Sequence, residues 1–231
     1  MVEARTLLSV VVPALNEAEN LDALLPELLA VIHAAGGGEI IVVDDGSADE
    51  TSAVAGAHGA RVVRHERRRG YGAAVWSGLT AASGALVAYL DGDRQFAAAE
   101  LSLLVGPILA GEADLVAGGR ADRRDGPHRR SLGGLYNALV QRVTETTFTD
   151  VDCGFKAMRR TVVESLSLRC SGNLFGAELM GKAHHAGFRV RECPVSHRPR
   201  ALGHAKGADL FAIAHACREI VRWWPELRPA G

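Results

Sequence analysis

Short apolar runs alternate with helical patterns along the first 120 residues of the chain. The first run, Leu7 to Val12, is rich in leucine and valine, as expected for a strand that is covered on both faces. The next stretch places apolar residues at helical spacing from Leu21 to Ile32, is interrupted by Pro26, and ends at Gly36-Gly37-Gly38. The rhythm continues with strands predicted at 40–43, 60–63, 85–90 and 115–117, helices at 71–82 and 101–109, and a short helix from Glu50 that Asp49 caps.

The second half of the chain is less regular, but it continues the alternation. Its predicted elements are a polar, basic loop over 122–130, helices over 132–143, 175–185 and 209–224, and extended segments over 155–158 and 188–193. Residues 196–206 mix proline, glycine, histidine and cations without periodicity, which predicts a mobile loop. A βαβα rhythm without repeats or low-complexity linkers predicts one α/β domain with a mostly parallel sheet and helices on both faces.

Composition narrows the function classes. The 231 residues, 48% of them hydrophobic, are enough to bury a sizeable core. The 26 Lys and Arg nearly balance the 27 Asp and Glu, so no overall field favours nucleic acid or anionic lipid as a partner. The four cysteines form no CxxC pair, and no leader or apolar run of membrane-spanning length is present, so the chain is expected to be reduced, cytoplasmic and at most peripheral to a membrane.

Two predicted strands end in acidic residues. Strand two runs into Asp44-Asp45-Gly46-Ser47, and strand four runs into Asp91-Gly92-Asp93-Arg94-Gln95. In open α/β sheets, ligands bind beyond the carboxyl ends of the strands. Two carboxylates one residue apart can hold Mg²⁺ or Mn²⁺, with water and substrate phosphates as the other ligands. Taken alone, Asp-Gly-Asp also fits a plain turn, but two acidic strand ends together favour a metal site.

These acidic motifs are part of a longer series that resembles a known family. Four motifs, in the family's order and spacing, are similar to family 2 glycosyltransferases of the GT-A fold: Val11 to Glu17, Val42 to Ser47, Gly70 to Ala74, and Asp91 to Gln95. Two later stretches, Asp150 to Lys156 and Arg200 to Lys206, resemble the polyprenyl-phosphate (dolichyl-phosphate) mannose and glucose synthases within that family. The resemblance implies a single GT-A domain over 1–231, in which 1–120 bind the nucleotide sugar and 121–231 form the acceptor half.

The resemblance also implies roles for individual residues at the donor site. The nucleotide base and ribose are expected to contact Pro13, Leu15, Glu17 and Asp44. Asp91 is expected to lie against the ribose and the metal, while Asp93 and Gln95 coordinate the metal on the donor diphosphate. Leu15 departs from the family pattern, because an aromatic residue is common there, and this weakens the expected stacking on the base.

Cations are the second group that the resemblance implies. Arg120 and Arg130 are expected to face phosphate, and Arg200 and Lys206 to close over the diphosphate from the 196–206 loop. With Asp93, the three arginines form the expected catalytic set, because a departing nucleoside diphosphate develops charge that a divalent ion and Arg or Lys side chains stabilise. Taken singly, each arginine also fits a solvated basic surface. Ala205 replaces the family's usual serine and removes one phosphate hydrogen bond.

A missing carboxylate bears on the acceptor. Family 2 enzymes that act on hydroxyls usually carry a Glu-Asp pair before a helix, with the Asp as general base, and the corresponding positions here are Phe175-Gly176. A hydroxyl nucleophile needs a proton acceptor, whereas a phosphate monoester, with a second pKa of about 6, is already largely dianionic at pH 7. The pattern therefore predicts a phosphate acceptor. Glu178, two residues further on, remains the alternative base.

These observations lead to one functional prediction and several alternatives. The prediction is an inverting transfer of a hexose from a GDP-mannose or UDP-glucose type donor to a polyprenyl phosphate at the cytoplasmic membrane face. The main alternative is a soluble transferase that acts on a hydroxyl of a small molecule or glycan. A nucleotidyltransferase would need a glycine-rich loop after strand one, and a non-catalytic relative would not need the Asp91 and Asp93 pair. Trp223-Trp224 fits a membrane interface, core packing or a contact between copies of the chain.

Overall fold

The computed structural model describes residues 7–120, 138–199, 218–220 and 222–223. Seven strands form one sheet, and most of them coincide with the runs of apolar residues. In chain order the strands are β1 (Leu8–Ala14), β2 (Gly38–Asp44), β3 (Arg61–Arg64), β4 (Leu86–Leu90), β5 (Leu115–Arg120), β6 (Phe155–Arg159) and β7 (Val190–Val195). Their spatial order is β3-β2-β1-β4-β6-β5-β7.

Helices cover both faces of this sheet. They are α1 (Ala18–Ala34), α2 (Thr51–Ala57), α3 (Tyr71–Ala81), α4 (Leu101–Leu109, after a 3₁₀ turn at Ala98–Glu100), α5 (described over 138–144), α6 (Arg160–Ser165) and α7 (Phe175–His185). Residues 218–220 and 222–223 are also helical. Pro26 lies inside α1 without ending it, and α6 was not expected from the sequence pattern. Among the described residues, no helix combines the length and the apolar character needed to cross a bilayer.

Two apolar layers, one on each side of the sheet, explain why β1 is hydrophobic throughout. Val10 and Val12 face the layer formed with α1 and α4, and Val11 faces the layer formed with α3 and α7. All three valines are completely buried. A strand buried on both faces has no polar alternation, as the sequence pattern indicated.

Strand direction determines which chain segments meet at one edge of the sheet. Among the described strands, β6 alone runs antiparallel to its neighbours β4 and β5, while the other pairs are parallel. The mostly parallel sheet predicted from the sequence is therefore confirmed. Because β6 runs in the opposite direction, the residues that precede it lie at the edge where β1, β2, β4 and β5 end.

Candidate active site

The carboxyl edge of the sheet brings together the acidic motifs found in the sequence. β1 and β2 end side by side, with Ala14 opposite Asp44. Asp91 follows β4, and its backbone N–H donates to the carbonyl of Gly154, just before β6 (3.1 Å). The structure thus confirms that the two acidic strand ends share one edge, which is where ligands bind in open α/β sheets.

The Asp91 carboxylate is held between two elements. The Tyr71 hydroxyl, at the start of α3, donates to Oδ1 of Asp91 (2.8 Å). On the other side, a Cβ atom at Gly154 would overlap the Asp91 carboxylate, so only glycine fits there. Loss of solvent and the negative charge of Asp91 raise the pKa of the Tyr71 hydroxyl well above 10, so this group keeps its proton and donates.

Asp91 and Asp93 form the part of the site that fits a divalent cation. Removal from solvent, and then the charge of Asp93, raise the pKa of Asp91 to about 7, although the Tyr71 hydrogen bond and the charge of Lys156 act in the opposite direction. A cation between the carboxylates would offset this repulsion. Within the described residues, no group of three or more His, Cys, Asp or Glu side chains is placed to hold a metal. The two carboxylates of Asp91 and Asp93 fit an ion that takes one or two protein carboxylates, with water and phosphate completing its shell, as Mg²⁺ prefers.

The second acidic residue of strand two, Asp45, is a buried anchor for the segment before α3. Its Oδ1 accepts hydrogen bonds from His65 Nδ1 (2.7 Å) and the backbone N–H of Arg69 (2.8 Å), and its Oδ2 accepts from the N–H of Gly70 (2.8 Å). Gly70 has a φ of +106°, a conformation that favours glycine. Asp45 therefore fixes the residue that immediately precedes Tyr71.

Asp44 ends β2 at the carboxyl edge of the sheet, opposite Ala14. The residue is completely buried, and its contact with a nucleotide stays a prediction. Its carboxylate accepts from the backbone N–H of Ser47 (2.7 Å) and from the Ser52 hydroxyl. Burial alone would raise the pKa of Asp44, but the Ser47 and Ser52 hydrogen bonds outweigh it and leave the pKa lowered. The structure gives Asp44 the role of shaping the turn after β2.

The other residues expected on the nucleotide lie in and after β1. Pro13 is buried within the strand, while Leu15 and Glu17 are partly exposed in the turn that follows. This turn is tied to the one after β2, because the Asn16 N–H donates to Ser47 Oγ (2.9 Å) and Asn16 Oδ1 accepts from the Ala48 N–H (2.9 Å). Leu15 and Glu17 are thereby placed at the same edge as Asp91, and their contacts with a base or ribose stay predictions.

Arg120 ends β5 and forms a two-fold ion pair with Asp150. Its Nε donates to Oδ2 of Asp150 and its Nη2 donates to Oδ1, and both donor–acceptor distances are 2.7 Å. Burial alone would lower the pKa of Arg120, but Asp150 outweighs it and raises the pKa, so the guanidinium stays charged. The pair borders a cavity of about 440 Å³ that also contacts Thr149, Glu192 and Cys193. Arg120 is at the predicted edge, and its contact with phosphate stays a prediction.

Lys156 lies close enough to Asp91 to influence its pKa, although the sequence analysis assigned it no role. It is completely buried, and its Nζ donates to the carbonyls of Val151 (3.0 Å) and Cys153 (2.5 Å). The same ammonium group lies 5.6 Å from the centre of the Tyr89 ring. Burial lowers the pKa of Lys156, against the opposing influence of the nearby Cys153 and acidic side chains. The position of this lysine in the Asp150 to Lys156 motif could have pointed to it. The motif does not show, however, that the side chain is buried.

The structure explains Gly176 and Glu178 by packing rather than by catalysis. A Cβ at Gly176 would overlap the carbonyl oxygen of Val151, so glycine is required where α7 meets the segment before β6. Glu178 is completely buried, and its carboxylate accepts from the N–H groups of Arg169 and Cys170 (2.8 to 3.0 Å) and from Lys182 Nζ (2.7 Å). This carboxylate is held inside the fold and is not placed to take a proton from an acceptor.

Gln95 connects the metal-site segment to the start of the 196–206 loop. Its side-chain amide donates to the Arg198 carbonyl (3.0 Å), and the Arg198 N–H donates to the Gln95 carbonyl (2.8 Å). The ring of His197 also packs edge-on against Phe96. Coordination of a metal by Gln95 stays a prediction. The other cations expected at the site, Arg130, Arg200 and Lys206, lie outside the described residues, as do the 122–130 loop and most of 196–206.

The family model for glycosyl transferase family 2 matches residues 9–167, which include the acidic edge and the segment before β6. The chain belongs to this family. Its relatives include the uncharacterized glycosyltransferase Rv0539 of Mycobacterium tuberculosis, at 36% identity over 86% of this chain and 88% of that one. They also include an undecaprenyl-phosphate 4-deoxy-4-formamido-L-arabinose transferase of Edwardsiella ictaluri, at 34% identity over 86% of this chain and 62% of that one.

Solved structures support the same assignment. Glucosyl-3-phosphoglycerate synthase from Mycobacterium tuberculosis, in complex with phosphoglyceric acid, has a TM-score of 0.76 and 26% identity, covering 97% of this chain and 80% of that one. The same enzyme with Mn²⁺, uridine diphosphate and glucosyl-3-phosphoglycerate has a TM-score of 0.73 and 27% identity, over 94% and 78% of the chains. The α/β fold predicted from the sequence is that of this enzyme class, and the protein is a glycosyltransferase.

Proposed function

We propose that the protein is a metal-dependent, inverting glycosyltransferase that moves a hexose from a nucleotide sugar of the GDP-mannose or UDP-glucose type to a polyprenyl phosphate. The observation that carries the proposal is the Asp91 and Asp93 pair, held at the carboxyl edge of a family 2 sheet. The related synthase binds Mn²⁺ together with uridine diphosphate, which supports a metal-bound diphosphate at this edge. In this proposal, residues 1–120 supply the donor side and the later residues the acceptor side.

The reaction follows from the charges at this edge. An acceptor oxygen attacks the anomeric carbon as the bond to the donor diphosphate breaks, and inversion results from this single displacement. Asp91 and Asp93 are the residues that would hold a divalent ion, which would supply positive charge to stabilise the departing diphosphate. Arg120 lies next to this edge as a permanent positive charge, able to offer N–H groups to a phosphate.

The proposal of a phosphate acceptor rests on two residues of α7, Gly176 and Glu178. A hydroxyl acceptor requires a base. The expected base position, Gly176, has no room for a side chain, and the alternative base, Glu178, is held by Arg169, Cys170 and Lys182. A phosphate needs no base, since it is already largely dianionic at pH 7. Relatives at 32% and 34% identity act on undecaprenyl phosphate, which supports this acceptor class.

A hydroxyl acceptor is the second candidate, and Asp152 is the observation that favours it. This residue is exposed in the segment before β6, two positions from the Gly154 backbone that contacts Asp91. In this second candidate, Asp152 is the residue that acts as the base. The related synthase is named for glucosyl-3-phosphoglycerate, and its structures include complexes with phosphoglyceric acid and with glucosyl-3-phosphoglycerate.

A donor panel tests the proposal directly. GDP-mannose, UDP-glucose and related donors are incubated with Mn²⁺, with and without a short polyprenyl phosphate, and release of the nucleoside diphosphate is measured. We expect release with one donor, dependent on both the metal and the phosphorylated acceptor. Equal turnover of the matching polyprenol, together with a loss of about 10²- to 10⁴-fold in Asp152→Asn, would favour the hydroxyl acceptor instead.

A lipid acceptor also implies that the transfer reaction takes place at a membrane. The chain covers 62% of the length of the undecaprenyl-phosphate transferases that it matches, and 37% of the glycosyltransferase AglD of Haloferax volcanii. We place the reaction at the cytoplasmic face of a membrane, where the phosphate of a polyprenyl lipid is exposed. Co-sedimentation with vesicles that contain polyprenyl phosphate, compared with vesicles without it, tests this placement.

A further inference from the structure

Tyr71 lies beside the candidate metal pair, Asp91 and Asp93, at the carboxyl edge of the sheet (here the metal edge). Neither the family resemblance nor the comparisons assign a role to this residue. It is the first residue of α3, and its hydroxyl donates to Oδ1 of Asp91 over 2.8 Å. The backbone of Gly154 lies so close to the same carboxylate that a Cβ atom at this position would overlap both of its oxygens. The carboxylate is thus held in one orientation by a hydroxyl and a backbone.

We propose that Tyr71 is a positioning residue for the divalent cation, which sets the orientation of Asp91 without touching the reacting atoms. The inference rests on the proposed metal-dependent transfer and names the residue that prepares its metal site. Hydrogen bonds from outer groups fix the orientation of metal ligands, and their loss typically weakens metal affinity about 10- to 100-fold. A carboxylate that is already oriented loses less conformational freedom when the ion binds.

The backbone around Tyr71 is itself fixed, which is what makes the hydroxyl a rigid support. Asp45 accepts the N–H groups of Arg69 and Gly70, both at 2.8 Å. On its other side, a Cβ at Gly70 would overlap the Ser171 carbonyl, so this segment is tightly packed against its neighbours. A continuous series of contacts therefore joins the end of β2, through Asp45 and Tyr71, to Asp91 at the end of β4.

This series of contacts connects the Asp-Asp motif at the end of β2 (residues 44–45) to the Gly-Tyr-Gly motif at the start of α3 (residues 70–72). Glycines at 70 and 72 allow the chain to approach the segment at 170–172, since a Cβ at Gly72 would overlap the Cys170 carbonyl. The close approach places the first turn of α3 directly beside Asp91. Both motifs then act on the metal edge through one hydroxyl group.

The test is the substitution Tyr71→Phe, which removes the hydroxyl and keeps the ring. Binding of Mn²⁺ is measured by calorimetry in the presence of UDP or GDP, whichever the wild-type protein binds, and the KM for Mn²⁺ is measured separately from kcat. We expect the Kd and KM for Mn²⁺ to rise about 10- to 100-fold, with kcat largely restored at saturating Mn²⁺. Tyr89→Phe is the matched control, since it removes a second phenol from the same region, and the structure records no hydrogen bond from Tyr89 to Asp91.

The outcomes are distinguishable. If Tyr71→Phe melts at the wild-type temperature and its Mn²⁺ affinity stays within twofold of wild type, the inference is overturned. Equal losses of affinity in Tyr71→Phe and Tyr89→Phe would also overturn it, since they would indicate a general packing effect. A wild-type protein that binds no Mn²⁺ with either nucleotide would overturn the proposed function, and this inference with it.

Discussion

Carboxylates at the active edge divide into two groups according to what their oxygens contact. Asp44, Asp45 and Glu178 are buried, and they accept hydrogen bonds from backbone N–H groups, Asp44 within its own turn and the other two from separate segments. Asp91 instead accepts from the Tyr71 hydroxyl and Asp93 from the nearby Gln95 N–H, and burial, followed by the charge of Asp93, raises the pKa of Asp91. The first group fixes the loops, and the second group is the one that a cation would stabilise.

The sequence predicted where these residues lie better than what each one does. Acidic strand ends at 44–45 and 91–93 are visible as a pattern, and the rule that parallel strands end at one edge is enough to bring them together. The role of Asp44 or Glu178 depends on backbone groups at 47 or 169–170, whose direction no sequence pattern shows. For this reason the meeting of the acidic strand ends at one edge could be predicted, but the buried state of Asp44 could not.

Asp93→Asn is predicted to remove transfer and leave the fold intact. The substitution keeps the shape of the side chain but removes one of the two charges that would bind the cation. Transfer at saturating donor and limiting Mn²⁺ should fall to background, while the melting temperature in EDTA changes little. Asp22→Asn, an identical change at an exposed position, is the control. Full activity of the Asp93 variant under these conditions would contradict the metal assignment.

Glu178→Gln is predicted to affect stability more than catalysis. An amide keeps only one acceptor oxygen, so a donor would face the N–H groups of Arg169 or Cys170, and the charge pair with Lys182 would be lost. The free energy of unfolding, measured in urea, should fall by about 2 kcal/mol. The value of kcat, measured well below the melting temperature, should be largely unchanged. A thousandfold loss of kcat at unchanged stability would instead make Glu178 a catalytic base.

At the scale of elements, most of the predicted segments occur where the sequence indicated, including the short strands β3 and β6, while helix α6 and the direction of β6 were not predicted. Helix α1 and strands β1 and β2 are marked by continuous apolar or helical patterns, and they occur where predicted. Helix α6 has only six residues, too few for a periodic pattern to be recognised. The antiparallel direction of β6 depends on long-range pairing with β4 and β5, which apolar periodicity does not encode.

At Gly176, close packing between two elements accounts for a glycine that the sequence pattern alone relates to a missing catalytic base. Compared with the motif of hydroxyl-directed family 2 enzymes, glycine at this position means that a base is missing, whereas in the structure it allows the close approach of α7 to the Val151 carbonyl. Both statements are compatible, because a site that packs a helix this tightly leaves no space for a carboxylate. The physical reason is visible only when the helix and the segment before β6 are seen together.

Gly176→Ala is therefore predicted to destabilise the protein. The added methyl group would overlap the Val151 carbonyl, and relieving the overlap should cost about 1 to 3 kcal/mol. Gly106→Ala is the matched control, because Gly106 lies inside α4 with nothing within 4 Å of the added Cβ. That change should stabilise the protein by up to about 1 kcal/mol through helix propensity. Equal effects of the two substitutions on urea unfolding would contradict this account of Gly176.

At the scale of the whole molecule, the sheet is a platform that collects chemistry at one edge. Its two buried apolar layers hold β1, β2 and β4 in register, and the polar turns after these strands are connected to one another by side-chain hydrogen bonds. Asp45 and Tyr71 extend these connections to Asp91. A ligand bound at this edge therefore contacts several segments of the fold at once.

Binding of a nucleoside diphosphate with Mn²⁺ is predicted to stabilise the whole protein, and the metal should be required for this effect. A ligand present at about 100 times its Kd adds about 2.7 kcal/mol to the free energy of unfolding, which corresponds to a rise of roughly 5 to 11 °C in melting temperature for a chain of this size. The shift should appear with UDP or GDP plus Mn²⁺ and nearly vanish in EDTA, because Asp91 and Asp93 would repel an uncompensated diphosphate. Asp93→Asn should lose the shift, whereas Asp22→Asn should retain it. An equal shift in EDTA would mean that the nucleotide binds without the carboxylate pair, and the metal site would then have to be sought elsewhere in the chain.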